Sequence, residues 1–140
     1  MAAAENKLLR VTSVEIDAAS EGGGPSYTVD TLEKLGSEHE ELVLLMGADV
    51  AAHLEQWHQP ERVVELARVG IANRPGSAVD DAQAALERLG AADRMDLVEM
   101  PALDVSSTQI RRRVAQGRPV RYVVTDGVLE LMEAGRLYGG

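Results

Sequence analysis

The 140-residue chain has no cysteine and no phenylalanine, and its aromatic residues are three tyrosines and one tryptophan. Without cysteine it forms no disulfide and offers no thiolate to a metal, which fits a reducing, cytoplasmic setting. With so few rings, the core has to be built from Leu, Val, Ala and Met. Positive charge is also scarce, since 14 Lys and Arg face 23 Asp and Glu for a net charge of −9. That balance argues against a broad footprint for nucleic acid or anionic lipid, both of which need a basic surface. Any anion site is therefore local. The longest apolar run, "LVLLMGA" at 42–48, is far short of the ~20 residues a membrane span needs. The start "MAAAENKLLR" has no apolar core of a secretion signal. No Ser-His-Asp or Gly-x-Ser-x-Gly pattern supports an activated serine. His53 and His58 are five apart and do not share a helix face, and His39 has no evident partner, so no metal site is expected.

What is present reads as one compact domain over residues 1–140, with 45% hydrophobic and 26% charged residues. "VTSVEID" (11–17) alternates as a strand does, and "EGGGPS" (21–26) is a loop. "YTVDTLEKLGSEH" carries Val29, Leu32 and Leu35 at helical spacing, and "ELVLLMG" reads as a strand buried on both faces. Together these three predict a β-α-β unit. A second helix is expected from Asp49 to Trp57, with Val50, Leu54 and Trp57 on one stripe, and another opens at Pro60. "RVGIAN" is a strand, "AVDDAQAALERLG" a helix stopped by Gly90, and "MDLVEM" a strand. Strands alternating with helices imply an α/β fold with a parallel sheet.

Such sheets bind ligands beyond the carboxyl ends of their strands. Four stretches stand there: "GGGPSYTVDTL", "GADVAAHLEQW", "NRPGS" and "PALDVSSTQIRRR". The last sets three hydroxyl side chains before a helix that carries Arg111, Arg112 and Arg113. Ser106 or Ser107 can cap that helix, whose free N–H groups and dipole attract an anion, and Arg111 lies about one turn in. An ordinary cap with a solvated arginine face is the alternative. Trp57 reads as core, tempered by its place at a helix end beside His58 and Pro60, where an indole face could stay open to a flat ligand.

Taken in order, "VEIDAASEGGGPSYTVDTL", "LMGADVAAHLEQWHQP", "ELARVGIANRPG", "ALDVSSTQIRRRVAQGRPVRYVV" and the final "LY" resemble bacterial nicotinate-nucleotide adenylyltransferase along nearly the whole chain. The resemblance implies a Rossmann-like nucleotidyltransferase fold. It also implies transfer of the AMP part of ATP, with Mg²⁺, to nicotinate mononucleotide, giving deamido-NAD and pyrophosphate in NAD biosynthesis. It sets the nicotinate ring against Trp57, with Tyr27 and Thr28 near the carboxylate and Arg74 near a substrate phosphate. Gly47 and Asp49 face the ribose and adenosine. Ser107, Thr108 and Arg111 cradle the ATP phosphates and are the implied catalytic groups. Such chemistry rests on positioning and charge neutralisation, which explains arginines at a helix start.

The chain departs from the family in two places. It has no H-x-G-H motif, and its opening matches the family's sequence downstream of that motif. A sheet without its first two strands is expected, with a bared apolar edge that favours homo-oligomers. The family's proline in Y-x-x-P-x-x-V is Thr125 here. Two functional readings remain: an adenylyltransferase represented by its C-terminal two thirds, or a non-catalytic nucleotide- or partner-binding remnant. ATP and nicotinate mononucleotide are the expected partners, with no nucleic acid and no membrane.

Overall fold

The computed structural model describes residues 6–20, 24–73, 78–101, 105–135 and 137–138. The chain divides into two compact units: a sheet unit, Ser13–Ala102, and a terminal unit made of Met1–Thr12 and Leu103–Gly140.

In the sheet unit three strands, β1 (Val43–Gly47), β2 (Arg68–Asn73) and β3 (Met95–Glu99), pair in parallel in the order β1-β2-β3. Parallel neighbours need a crossover between them. α3 (Ala48–Ala51), a 3₁₀ turn (Leu54–Gln56) and α4 (Pro60–Leu66) connect β1 to β2, while α5 (Val79–Arg88) and a 3₁₀ turn (Ala92–Arg94) connect β2 to β3. Pro60 opens α4, where its missing N–H costs nothing. Gly90, at φ +69°, ends the segment after α5 as only a residue without Cβ does freely.

Register and alternation put Leu44, Met46, Val69 and Ile71 on one face of the sheet and Val43, Leu45, Gly70 and Val98 on the other. The first face is covered over β2, while Leu97 of β3 on that face is exposed. Val69 and Ile71 are fully buried, with Leu54, Val63, Ala82 and Leu86 from the crossovers in the same core. Each large apolar side chain removed from water there contributes roughly 1.5–3 kcal/mol. The second face is bare among the described residues, with Val43 55% and Leu45 61% exposed. Both lean across Gly70, where an added Cβ would meet Leu45 Cδ1 and Val43 Cγ1 at 3.2 Å each.

Three expectations are corrected. The strand in "ELVLLMG", expected to be buried on both faces, is β1, and it is buried on one only, with Val43 and Leu45 exposed. Residues 11–17 do not form a strand: α1 (Val14–Ser20) occupies the segment, so no β-α-β unit begins there. The apparent alternation places Glu15 and Asp17 in the first turn, where acids complement the helix dipole. Ser13 Oγ donates to Asp17 Oδ2 at 2.7 Å across that turn, and Thr31 Oγ1 donates to Glu15 Oε1 at 2.9 Å from α2 (Thr28–Gly36). The helix expected from Asp49 to Trp57 also breaks after Ala51. Leu54 is pulled into the core while Val50 stays exposed, so the stripe of Val50, Leu54 and Trp57 does not exist as one face.

The terminal unit contains α6 (Ser107–Ala115) and α7 (Asp126–Ala134), and its buried apolar residues among those described are Val120 and Met132. Gly117, at φ +64°, turns the chain after α6. Arg113 closes that turn by donating Nε and Nη2 to the Pro119 carbonyl at 3.2 and 2.9 Å.

Candidate functional site

The candidate residues fall in both units, and each group has its own geometry. In the sheet unit, Gly47 is the last residue of β1 and precedes α3 with extended backbone, φ −76° and ψ 153°. An added Cβ would meet nothing within 4 Å, so a ligand has room to approach the backbone at that strand end. Asp49, in the first turn of α3, lines a groove of about 320 Å³ with His53, Asp81 and Arg88.

Tyr27 precedes α2 with no side-chain cap, and its carbonyl accepts the N–H groups of Asp30 and Thr31 at 3.1 and 3.3 Å. Thr28 follows as the first helical residue. Trp57 ends the 3₁₀ turn in extended backbone, half-buried and packed against the core. The indole is thus anchored by packing and still reaches solvent. The sequence gives His58 no metal-binding partner. The structure stacks its ring on Tyr27 at a centroid distance of 4.0 Å and 26° between planes. Adjacency to Trp57 and Pro60 is the one signal in the sequence. Arg74 lies outside the described residues.

In the terminal unit, Ser106 is the cap of α6. Its Oγ accepts the Gln109 N–H at 3.2 Å, and Gln109 Oε1 accepts the Ser106 N–H at 3.1 Å, a reciprocal capping box. The S-x-x-Q spacing carries that signal and decides between Ser106 and Ser107. Ser107 and Thr108 then occupy the first two helical positions, whose N–H groups have no partner inside a helix. The three arginines differ. Arg113 is tied to Pro119, whereas the guanidinium groups of Arg111 and Arg112 are exposed and have no partner among the described residues.

Charge separates the two groups further. The terminal unit holds eight of the 14 Lys and Arg and five of the 23 Asp and Glu, while the sheet unit holds six and eighteen. In the sheet unit every described arginine has an oxygen partner. Arg62 bridges Glu33 and Glu65, Arg68 grips Asp96 with two bonds of 2.7 Å, Arg88 holds Glu55, and Arg94 donates to the Glu65 carbonyl. Hydrogen bonding to carboxylates raises the pKa of Arg62, Arg68 and Arg88, and the arginine bonds lower those of Glu55 and Asp96. Arg111 and Arg112 of α6 are among the described cations that have no such partner. Among the described residues no group of three His, Cys, Asp or Glu could hold a metal, and no helix is long and apolar enough to cross a membrane.

No family model matches the chain. It is 43% identical over 139 residues to a probable nicotinate-nucleotide adenylyltransferase of Roseiflexus sp., covering 99% of this chain and 68% of that protein. A protein of the same name from Thermomicrobium roseum is 47% identical over 118 residues, covering 82% of this chain and 55% of its own length. The chain therefore spans roughly two thirds or less of these relatives. Among solved structures, Plasmodium falciparum nicotinic acid mononucleotide adenylyltransferase complexed with APC aligns with TM-score 0.62 at 17% identity, covering 83% of this chain and 60% of that one. At that identity the likeness concerns the fold.

Proposed function

This chain belongs to the nicotinate-nucleotide adenylyltransferase family, and we propose that it serves adenylyl transfer from ATP to nicotinate mononucleotide, a step of NAD biosynthesis. The observation that carries the proposal is a likeness extending over 99% of the chain at 43% identity. The phosphate oxygen of nicotinate mononucleotide attacks the α-phosphorus of ATP, the bond from that phosphorus to the β-bridging oxygen breaks, and pyrophosphate leaves with deamido-NAD as product. No protein nucleophile takes part, so the protein's work is to orient both nucleotides and to neutralise charge.

In this reading the first-turn N–H groups of α6, the hydroxyls of Ser107 and Thr108, and the Arg111 guanidinium hold the ATP phosphates. The capping box supports it, because Ser106 and Gln109 satisfy each other and leave the N–H groups of Ser107 and Thr108 to a ligand. An unpaired guanidinium one turn along can take two phosphate oxygens. Magnesium arrives with ATP as part of the substrate and offsets phosphate charge. Gly47 and Asp49 face ribose and adenosine, Tyr27, Thr28 and Trp57 receive the nicotinate ring, and Arg74 takes a substrate phosphate. The site lies in the cytoplasm.

Isothermal titration of the 140-residue chain with nicotinate mononucleotide, and separately with Mg·ATP, tests the reading. Saturable binding of both is expected, and failure to bind nicotinate mononucleotide, alone or together with Mg·ATP, overturns it. Pyrophosphate release from the two together should be slow, because the 140 residues contain no H-x-G-H and one lost charge-stabilising donor costs roughly 10²- to 10³-fold. The bare sheet face supports self-association as well, which light scattering should detect and Leu45→Lys should reduce.

A further inference from the structure

The turn Trp57–Gln59 is strained and yet fixed. Gln59 has φ 51° and ψ 59°, a left-handed conformation for a residue with a Cβ, directly before Pro60. A following proline pushes its neighbour toward extended backbone, so this geometry persists only where the surroundings enforce it. The enforcing contacts are visible. Gln59 Nε2 lies 3.1 Å from His58 Nε2, and the His58 ring stacks on Tyr27. Tyr27 precedes α2 and His58 lies two residues before α4, while Arg62 of α4 pairs with Glu33 of α2 at 3.1 Å. The two helices thus lie side by side with their N-terminal ends together, and the ring stack closes that end.

We infer that His58 is a positioning residue whose stack on Tyr27 latches the strained turn, and with it the Trp57 indole, in the orientation that receives the pyridine ring. The inference rests on the nicotinate mononucleotide reading above. His58 acts through Tyr27 and Trp57 and does not itself react. The strain is the reason a latch is needed: without the stack, Gln59 relaxes to extended backbone and Trp57 moves with it. An exposed ring pair of this kind contributes little to global stability and much to the placement of one side chain.

The test uses the full chain and three variants, His58→Ala, His58→Phe and Tyr27→Ala. Two readouts are taken: acrylamide quenching of Trp57, the one tryptophan, and dissociation constants for nicotinate mononucleotide and for Mg·ATP. His58→Ala and Tyr27→Ala should make Trp57 more quenchable and weaken nicotinate mononucleotide about threefold to tenfold, the value of one aromatic pair. Mg·ATP binding should not change. His58→Phe, which keeps a flat ring on Tyr27, should restore both readouts. Binding by His58→Ala equal to the parent's overturns the inference, as does an equal loss of both ligands or failure of phenylalanine to rescue. A parent chain that binds Mg·ATP and not nicotinate mononucleotide overturns the functional reading, and the inference falls with it.

Discussion

The two units of this chain solve different problems. Of the seventeen buried apolar residues among those described, fifteen lie in Ser13–Ala102 and two, Val120 and Met132, in the terminal unit. The sheet unit is also the acidic one, with its described arginines committed to oxygen partners, while the terminal unit carries surplus positive charge that nothing described compensates. A unit dense in buried apolar contacts holds its geometry against thermal motion, and one with few of them sits at the low end of local stability. Parts that must move with a ligand come from that low end. On the proposed function, the scaffold and ring recognition fall to one unit and phosphate charge to the other.

The largest effect should come from breaking the packed unit. Leu86 is fully buried, and Leu86→Ala is expected to cost about 2–5 kcal/mol. Met132→Ala should cost less than about 2 kcal/mol, because Val120 is the one other buried apolar residue described in its unit. Urea unfolding followed through Trp57 reports the first, and far-ultraviolet circular dichroism reports both. Equal costs would mean that the terminal unit has a core as firm as the sheet unit's.

Next in size is the contrast inside the arginine cluster. Arg111→Ala should weaken Mg·ATP about 10- to 100-fold, since a charge-assisted hydrogen bond is worth about 1.5–3 kcal/mol. Arg113 instead holds the Pro119 carbonyl. Its alanine variant should lower protection of the α6–α7 amides against hydrogen exchange and leave the Mg·ATP constant within about threefold. Similar losses of ATP at both positions would reduce the cluster to a generic basic face.

A smaller effect distinguishes the units by pH. The bidentate bond from Arg68 lowers the pKa of Asp96 in the folded state. A depressed carboxylate stabilises above its unfolded pKa, near 3.9, and that contribution is lost as pH falls through the lower folded value. The sheet unit should therefore lose thermal stability below about pH 4. Asp96→Asn should be less stable than the parent at pH 7 and converge with it in acid. The pair is about a third to a half exposed, so added salt should shrink the difference. Curves that stay parallel down to pH 2 would show that this pair contributes nothing to folding.

Legibility in the sequence divides along the same line. β1, β2, β3 and α5 are readable because short strands rich in Val, Leu and Ile and an amphipathic helix leave apolar runs bounded by Gly and Pro, as in "RVGIAN" and "AVDDAQAALERLG". The segment 11–17 misleads because alternation and a short acidic first turn look alike over seven residues, and tertiary bonds from Thr31 and within the turn decide between them. The break after Ala51 is not readable either, since burial of Leu54 overrides helical periodicity. In the candidate site, Ser107, Thr108 and Arg111 are visible as motif and cap. The Tyr27–His58 stack joins residues 31 positions apart, and no local pattern announces such a pair.

The smallest expected effect concerns a residue where the chain departs from its family. Thr125 stands at the N-terminal boundary of α7 with φ −69° and ψ 155°, and its side chain caps nothing. A proline ring fixes φ near −65°, so the backbone is already where proline would put it. No described hydrogen bond uses the Thr125 N–H, and its carbonyl, which accepts from Val128 and Leu129 at 3.0 Å each, would be retained. Thr125→Pro therefore removes unfolded-state freedom without breaking a bond and should stabilise the terminal unit by about 0.4–1 kcal/mol. The gain should be confined there, appearing as slower exchange of the α7 amides while the urea transition seen by Trp57 is unmoved. A destabilised variant would mean that Val124, two residues after Tyr122 at φ 70°, cannot accept the extended backbone that a following proline demands.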